Sequence, residues 1–459
     1  MKTASREISA VSLVQAALSK AHQYQADYQI FTWINDAAIE RAKEIDARIA
    51  KGENVGRLAG VPYALKDNFL SPEGESTASA LILNGFASPV TATAVKKLEA
   101  EGAIMIGRTN LDAFAHGSST ENSYYGPTKN SKDLERVAGG SSGGSAVATA
   151  LDIVPFALGT DTGGSIRQPA SFNGVYGFKP TYGTISRYGV VAMGSSLDCV
   201  GFFAQNTEDL DLLMQICAGQ DDYDMTSLPD YYGQAAVADG PKKIGIIKDF
   251  DNDAVAPEIR QALQRKIELL QSKGHEIVEL EMPALKYALA VYYIITPAEV
   301  SSNLSRHDGI RYGYRSEKSA HLGELYGDTR DEGFMPENKR RIMIGNFVLS
   351  SGFYDAYYLK AAKARTLIIN EYKQAFEKCD FILTPVSPSP AFKLGEKVND
   401  PVAMYLEDVM SVSLNLAGVP GLAIPAGKTV EGLDLGLQLV GPRRSDQSLI
   451  KFAAEMEEA

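Results

Sequence analysis

The sequence predicts an α/β fold, a β-sheet with helices on both faces. Three observations carry that expectation. Short apolar runs alternate with helical patterns, as where residues 93–101 are followed by Ala103-Ile104-Met105-Ile106-Gly107. Residues 244–247, an amphipathic stretch opened by Pro257 and closed by Gly274, and residues 276–280 read as a strand–helix–strand unit. Between Val137 and Lys179, an apolar segment over 146–158 is flanked by Gly/Ser clusters at 139–145 and 163–165. With 459 residues, 45% of them apolar, the chain has ample material for a core. It is read as one domain over 1–459, with room for a peripheral lobe or insertion near 219–400.

Taken in order, Ile8, Val11, Val14 and Leu18 recur at helical spacing over 8–20. A second helix over 36–49 carries mixed charges on a solvated face, and Trp33 between the two reads as a packing residue. Val61-Pro62-Tyr63-Ala64-Leu65 is a strand that ends at Lys66. A lysine snorkels to the surface by default, but this one has an apolar N-terminal flank. Burial there lowers a lysine pKa by disfavouring the charge. A polar loop over 117–123 follows the strand at 103–107, and the isolated histidines, His116 included, sit in no acid–base motif. Residues 219–242 are polar and loop-like, and 381–383 is a strand before the Pro/Ser turn at 385–390.

The Gly/Ser region is the most informative. All seven residues from 139 to 145 are Gly or Ser, and they open onto Ala146-Val147-Ala148-Thr149-Ala150-Leu151, a helix-forming run with an N-cap before it. Residues 153–158 read as a short buried strand interrupted by Pro155, and 159–165 as a loop. Its glycines leave backbone amides bare, a nest for an anion or oxyanion. A flexible linker is the bland alternative, but both neighbours want burial, and buried backbone must be satisfied. Gly139-Gly140-Ser141-Ser142-Gly143 also matches the G-x-S-x-G nucleophile elbow, which requires an apolar strand before it. Residues 129–136 are far too polar for that.

Several function classes are excluded. A net charge of −12 argues against gripping a phosphate backbone unaided. Cys199, Cys217 and Cys379 lack metal-ligand spacing and read as reduced thiols. A polar start and the absence of any apolar run near ~18 residues predict a cytoplasmic protein without leader or spanning helix. Gly421 to Gly427 with Lys428-Thr429 mimics a phosphate loop, but five residues separate the glycines and Pro425 removes an N–H. It reads as a strand with a turn, so no nucleotide site is expected.

GGSSGGSA followed by DTGGSIRQPA, with Ser141 and Ser165 twenty-four residues apart, resembles the amidase signature family. That resemblance implies its fold, a large mixed sheet between helices, and a Ser–cis-Ser–Lys triad of Lys66, Ser141 and Ser165. It implies an oxyanion hole from the amides of Thr162, Gly163, Gly164 and Ser165. It also brings the loop 117–123 near the substrate, with His116 where the family pattern has methionine. SSNLSRHDGIRYG, then residues 339–358 and 404–421, resemble the A-subunit branch of tRNA-dependent glutamine amidotransferases within that family. Glutamine-contacting positions then fall on Tyr292, Arg341 and Asp408. By local pattern alone, Arg341 beside Lys339 and Arg340 reads as a surface ion pair and Asp408 as a helix-surface charge. This resemblance implies a glutaminase without its own cofactor. It would supply ammonia to a second subunit that uses ATP and Mg and binds tRNA, with a small third subunit completing the heterotrimer. The competing expectation is a free-standing amidase for a small or aryl amide; a non-catalytic scaffold is more distant, since all three triad residues are present.

Overall fold

Along the strand Pro62–Lys66, Tyr63 and Leu65 join one apolar core while Ala64 between them joins a second. The split repeats in Phe156–Asp161, where Phe156 and Leu158 lie in the first core and Ala157 in the second. Successive strand residues point to opposite faces, so this period of two means an apolar layer on each side of the sheet. In the computed structural model, residues 8–234, 240–250, 253–318 and 321–456 are described. The N-terminal residues 1–7 and part of the polar stretch, 235–239, lie outside them.

The described strands are β1 Phe31–Ile34, β2 Pro62–Lys66, β3 Ile104–Thr109, β4 Phe156–Asp161, β5 Tyr176–Lys179, β6 Cys199–Ala204, β7 Lys243–Ile247, β8 Glu276–Leu280, β9 Phe381–Pro385, β10 Gly421–Lys428 and β11 Asp434–Val440. They form one eleven-stranded mixed sheet in the order β1-β3-β2-β4-β6-β5-β10-β11-β9-β7-β8. Pairing is parallel for β2 with β3 and β4, and for β7 with β8 and β9. The helices are α1 Ala10–Tyr28, α2 Ala38–Ala50, α3 Thr93–Ala100, α4 Gly143–Ala150, α5 Arg167–Asn173, α6 Thr207–Cys217, α7 Pro257–Ser272, α8 Ala288–Asn303, α9 Leu322–Gly333, α10 Pro336–Leu349, α11 Lys360–Ala375, α12 Pro401–Leu406, α13 Val412–Ala417 and α14 Asp446–Ala454. α1, α2 and α4 bury their apolar positions in the core that holds Ala64, whereas α3, α6, α7, α11 and the first two turns of α8 bury theirs in the core that holds Tyr63; Val300, near the end of α8, joins a smaller third cluster. The fold is α/β, as the alternation predicts.

The strand–helix–strand unit is β7-α7-β8, paired in parallel from Lys243↔Glu276 to Ile247↔Leu280. β7, β8 and β9, all within 219–400, extend the same sheet. The phosphate-loop mimic is β10, paired on both sides. One boundary shifts with consequence. The strand expected over 153–158 lies at Phe156–Asp161. Pro155 cannot donate to a ladder, so pairing begins after it. Gly159, Thr160 and Asp161, expected in a loop, pair with Gly201, Val200 and Cys199. Gly159 is there for packing: a Cβ would lie 2.8 Å from the Phe203 ring. Among the described residues no helix is long and apolar enough to cross a membrane.

Candidate active site

The C-terminal ends of β2 and β4 are adjacent in the sheet, and they deliver Lys66 and Thr160 to one place. Lys66 is fully buried; its Nζ donates to Ser141 Oγ at 2.8 Å, Thr160 Oγ1 at 2.9 Å and the Thr160 carbonyl at 3.4 Å. Burial pushes its pKa down to about 7, against the pull of Asp112, Asp161 and Asp198. Near neutral pH a large fraction of this amine therefore carries no charge. The peptide bond from Gly140 to Ser141 is cis. The Gly140 amide donates to Gln168 Oε1 at 2.8 Å, and the Ser141 carbonyl accepts from the Asp112 amide at 3.2 Å. No larger residue fits at Gly140, since a Cβ would lie 2.1 Å from Asp112 Oδ2 and 2.6 Å from the Ser119 amide.

Ser165 sits between β4 and α5, 8% exposed, and its carbonyl accepts from the Ser142 amide at 3.2 Å. That bond ties the two Gly/Ser clusters together. The turn is anchored by Asp161, whose carboxylate accepts from the amides of Gly164 at 2.8 Å and Ile166 at 3.2 Å, and from Arg167 Nε and Nη2, each at 3.0 Å. Burial alone would raise this acid, but Arg167 holds it down to about 2. The Gly164 amide is thus spent on Asp161. The amides of Thr162, Gly163 and Ser165 have no hydrogen-bond partner among the described residues. Thr162 Oγ1 donates to Asp198 Oδ1 at 2.6 Å, fixing the far side of the turn.

The three expected glutamine contacts come from distant segments: Tyr292 packs on this turn, and its neighbour Tyr293 touches both Asp408 and Arg341. Tyr292 on α8 is buried against Gly163, where a Cβ would lie 2.6 Å from Tyr292 Cζ. Asp408 follows α12; its Oδ1 accepts from Ser118 Oγ and its Oδ2 from Tyr293 Oη, each at 2.8 Å. Burial raises its pKa to about 6, with those two hydrogen bonds opposing. Arg341 on α10 is 2% exposed, neither a surface ion pair nor a solvated charge. Its guanidinium carbon lies 5.2 Å from the Tyr293 ring centre and 5.7 Å from that of Tyr405, rings that themselves stack 3.8 Å apart. Asp408 is buried too, so local pattern misplaces both charges.

The loop 117–123 joins the site through Ser118. His116 is buried, and its Nδ1 lies 2.7 Å from Asn338 Nδ2. The Asn338 amide also donates to the Ala113 carbonyl and accepts from the Met335 amide, so its nitrogen must face the ring. His116 Nδ1 is therefore an acceptor and the ring is neutral, consistent with a pKa held well below normal by burial and by Arg341. Sequence reasoning misses Thr160, Asp161, Tyr293 and Glu337, which carry no local signal beyond being polar. Among the described residues no His, Cys, Asp and Glu group could hold a metal ion.

The amidase family model matches residues 12–450. The chain belongs to the amidase family. Within that family it is 47% identical to the glutamyl-tRNA(Gln) amidotransferase A-subunit of Heliobacterium modesticaldum, over 99% of this chain and 94% of the relative. It is 49% identical to the protein of that name from a Synechococcus species, over 99% of this chain and 89% of the relative. A crystal structure of the glutamyl-tRNA(Gln) amidotransferase A-subunit from Thermotoga maritima superposes with a TM-score of 0.81 at 35% identity, covering 98% of this chain and 94% of that one. A bacterial aryl acylamidase of the amidase signature family superposes at 0.84 with 26% identity, covering 99% and 93%. Fold likeness alone thus does not separate a glutamine-using amidase from an aryl amidase.

Proposed function

We propose that this chain is the glutaminase subunit of a tRNA-dependent amidotransferase, releasing ammonia from glutamine for a partner that amidates glutamyl-tRNA(Gln) with ATP. The observation that carries this choice within the family is that Arg341 and Asp408, of opposite charge, are both buried and share Tyr293, whose hydroxyl donates to Asp408 Oδ2 and whose ring lies against the Arg341 guanidinium. Free glutamine bears an α-carboxylate and an α-ammonium. Both must be matched once desolvated, because an unpaired buried charge costs several kcal/mol, on the order of 3–5. A small or aryl amide needs neither.

In this reading Ser165 Oγ attacks the side-chain amide carbon of glutamine. Ser141 takes the proton of Ser165 as it passes its own to neutral Lys66. The oxyanion develops against the amides of Thr162, Gly163 and Ser165. The Gly164 amide braces the turn through Asp161 instead. Collapse breaks the C–N bond, the relay returns the proton, and ammonia leaves. Water then cleaves the glutamyl ester, releasing glutamate and restoring the Ser165 hydroxyl. ATP, Mg and most tRNA contacts belong to the second subunit, and a small third one completes a cytoplasmic heterotrimer; this chain is one amidase domain with no cofactor of its own. The test is to co-express the chain with those two partners. The complex should convert glutamyl-tRNA(Gln) to glutaminyl-tRNA(Gln) with glutamine and ATP. Efficient aryl-amide hydrolysis by the chain alone, with no glutamine-dependent conversion by the complex, would favour the free-standing amidase.

A further inference from the structure

Arg341 could meet a carboxylate only if its guanidinium keeps one edge open, and the structure shows how that edge is kept. Glu337, one turn earlier on α10, accepts from Arg341 Nε through Oε1 at 2.8 Å. The same Oε1 accepts from Tyr405 Oη at 2.8 Å, and Arg340 closes on Oε2. The contact to Arg341 is one-point and lies at the Nε side. Nη1 and Nη2 have no hydrogen-bond partner among the described residues, and Arg341 and Glu337 both line a cavity of ≈ 260 Å³ with Asp112, His116, Ser118 and Tyr405. Burial by itself raises the Glu337 carboxyl, yet Arg341 and Tyr405 keep it below the ordinary carboxylate range, so it stays ionised near neutrality.

We propose that Glu337 is a positioning residue for glutamine recognition: it pins the Nε side of Arg341 and draws Tyr405 under it, so that the Nη1/Nη2 fork faces the α-carboxylate of the substrate. Three restraints converge on one side chain. The Glu337 ion pair fixes the guanidinium in its plane, the stacked Tyr293 and Tyr405 fix its tilt, and the Tyr405 hydroxyl locks the second ring to the same carboxylate oxygen. A fork–fork pair requires such orientation, since its strength lies in two parallel N–H···O bonds. Glu337 also supplies the counter-charge that a buried guanidinium needs while no substrate is bound.

This inference rests on reading Arg341 as the carboxylate anchor, and the experiment separates the two. Glutamine-dependent and ammonium-dependent amide transfer are measured in the assembled complex for Arg341→Ala, Glu337→Ala, Glu337→Gln and the Arg341→Ala/Glu337→Ala double variant. Glu337→Ala should raise KM for glutamine about tenfold or more, with ammonium-dependent transfer within about twofold of the parent. Glu337→Gln keeps an acceptor for Nε and folds if the alanine variant does not; it should raise KM by a smaller factor. The double variant should be no worse than Arg341→Ala alone, because a positioning residue has nothing left to position. Additive losses in the double variant, equal losses with both nitrogen donors, or an unchanged KM in both Glu337 variants alongside a raised one in Arg341→Ala would overturn the role of Glu337. An unchanged KM in Arg341→Ala would instead remove the anchor itself and the inference with it.

Discussion

The Lys66–Ser141–Ser165 end of the site and the Tyr292–Arg341–Asp408 end are both buried, yet different kinds of structure hold them. At the first, position comes from backbone: two neighbouring strand ends, an amide-to-carbonyl tie between the Gly/Ser clusters, and a turn wrapped around Asp161. At the second, position comes from side chains on helices outside the sheet, with Tyr293 donating to Asp408 and stacking under Arg341. On the proposed reading the first is the chemistry end, and it is intolerant of volume because a Cβ at Gly140, Gly163 or Gly164 would lie 2.1, 2.6 or 2.4 Å from Asp112, Tyr292 or Ser411. On the same reading the second is the recognition end, and it is sensitive to charge because its restraints are an ion pair and hydrogen bonds. Substitutions at the first should act on kcat, and substitutions at the second on KM.

The largest expected effect is at the chemistry end. Ser165→Ala should lower glutamate release by the complex on the order of 1,000-fold or more, with ammonium-dependent transfer retained. Near-normal glutaminase turnover in that variant would show that the nucleophile lies elsewhere.

An intermediate effect comes from pH, and it separates the two ends. Lys66 must be neutral to accept a proton, and its pKa lies at about 7, so kcat should fall as pH drops through about 7. Asp408 must be charged to hold an ammonium, and its pKa lies at about 6, so KM for glutamine should climb as pH drops through about 6. Asp408→Asn should raise KM at neutral pH roughly tenfold and abolish the lower limb while leaving the limb in kcat. A single limb shared by kcat and KM, unchanged in Asp408→Asn, would mean the ends do not titrate separately.

The smallest effect lies at the seam. Gly163→Ala puts a Cβ 2.6 Å from Tyr292 Cζ, so the ring must move. Overpacking of this kind costs about 1–3 kcal/mol. Thermal melting should show that loss, and kcat and KM for glutamine should change together by a few-fold. Change in only one constant would mean that Tyr292 and the turn are uncoupled.

The contrast also explains what the sequence could reveal. Strands such as β2, β3 and β7 to β9 are short apolar runs between breakers, and periodicity finds them. The Gly/Ser clusters stand out because the backbone there must pass within contact distance of Asp112, Tyr292 and Ser411, which only glycine allows at Gly140, Gly163 and Gly164. Thr160 and Asp161 are hidden because a Gly-Thr-Asp-Thr-Gly-Gly run looks like a loop even where half of it pairs in a ladder. Arg341 and Asp408 are legible only by resemblance. Their burial depends on packing among α8, α10 and α12, and a charged residue in a charged stretch looks solvated until its neighbours are known. The contacts of Glu337 and Tyr293 with Arg341 arise in the same packing and leave no local trace.

On the proposed reading, this chain's own charges select glutamine, apart from the chemistry that cleaves it. That selection is tested most directly by assaying Arg341→Ala in the complex on glutamyl-tRNA(Gln) with glutamine and then with ammonium as nitrogen donor. KM for glutamine should rise about 100-fold, consistent with losing a buried charge-assisted pair, while ammonium-dependent transfer stays close to the parent. Equal losses with the two donors, or glutamine use at the parent KM, would contradict it.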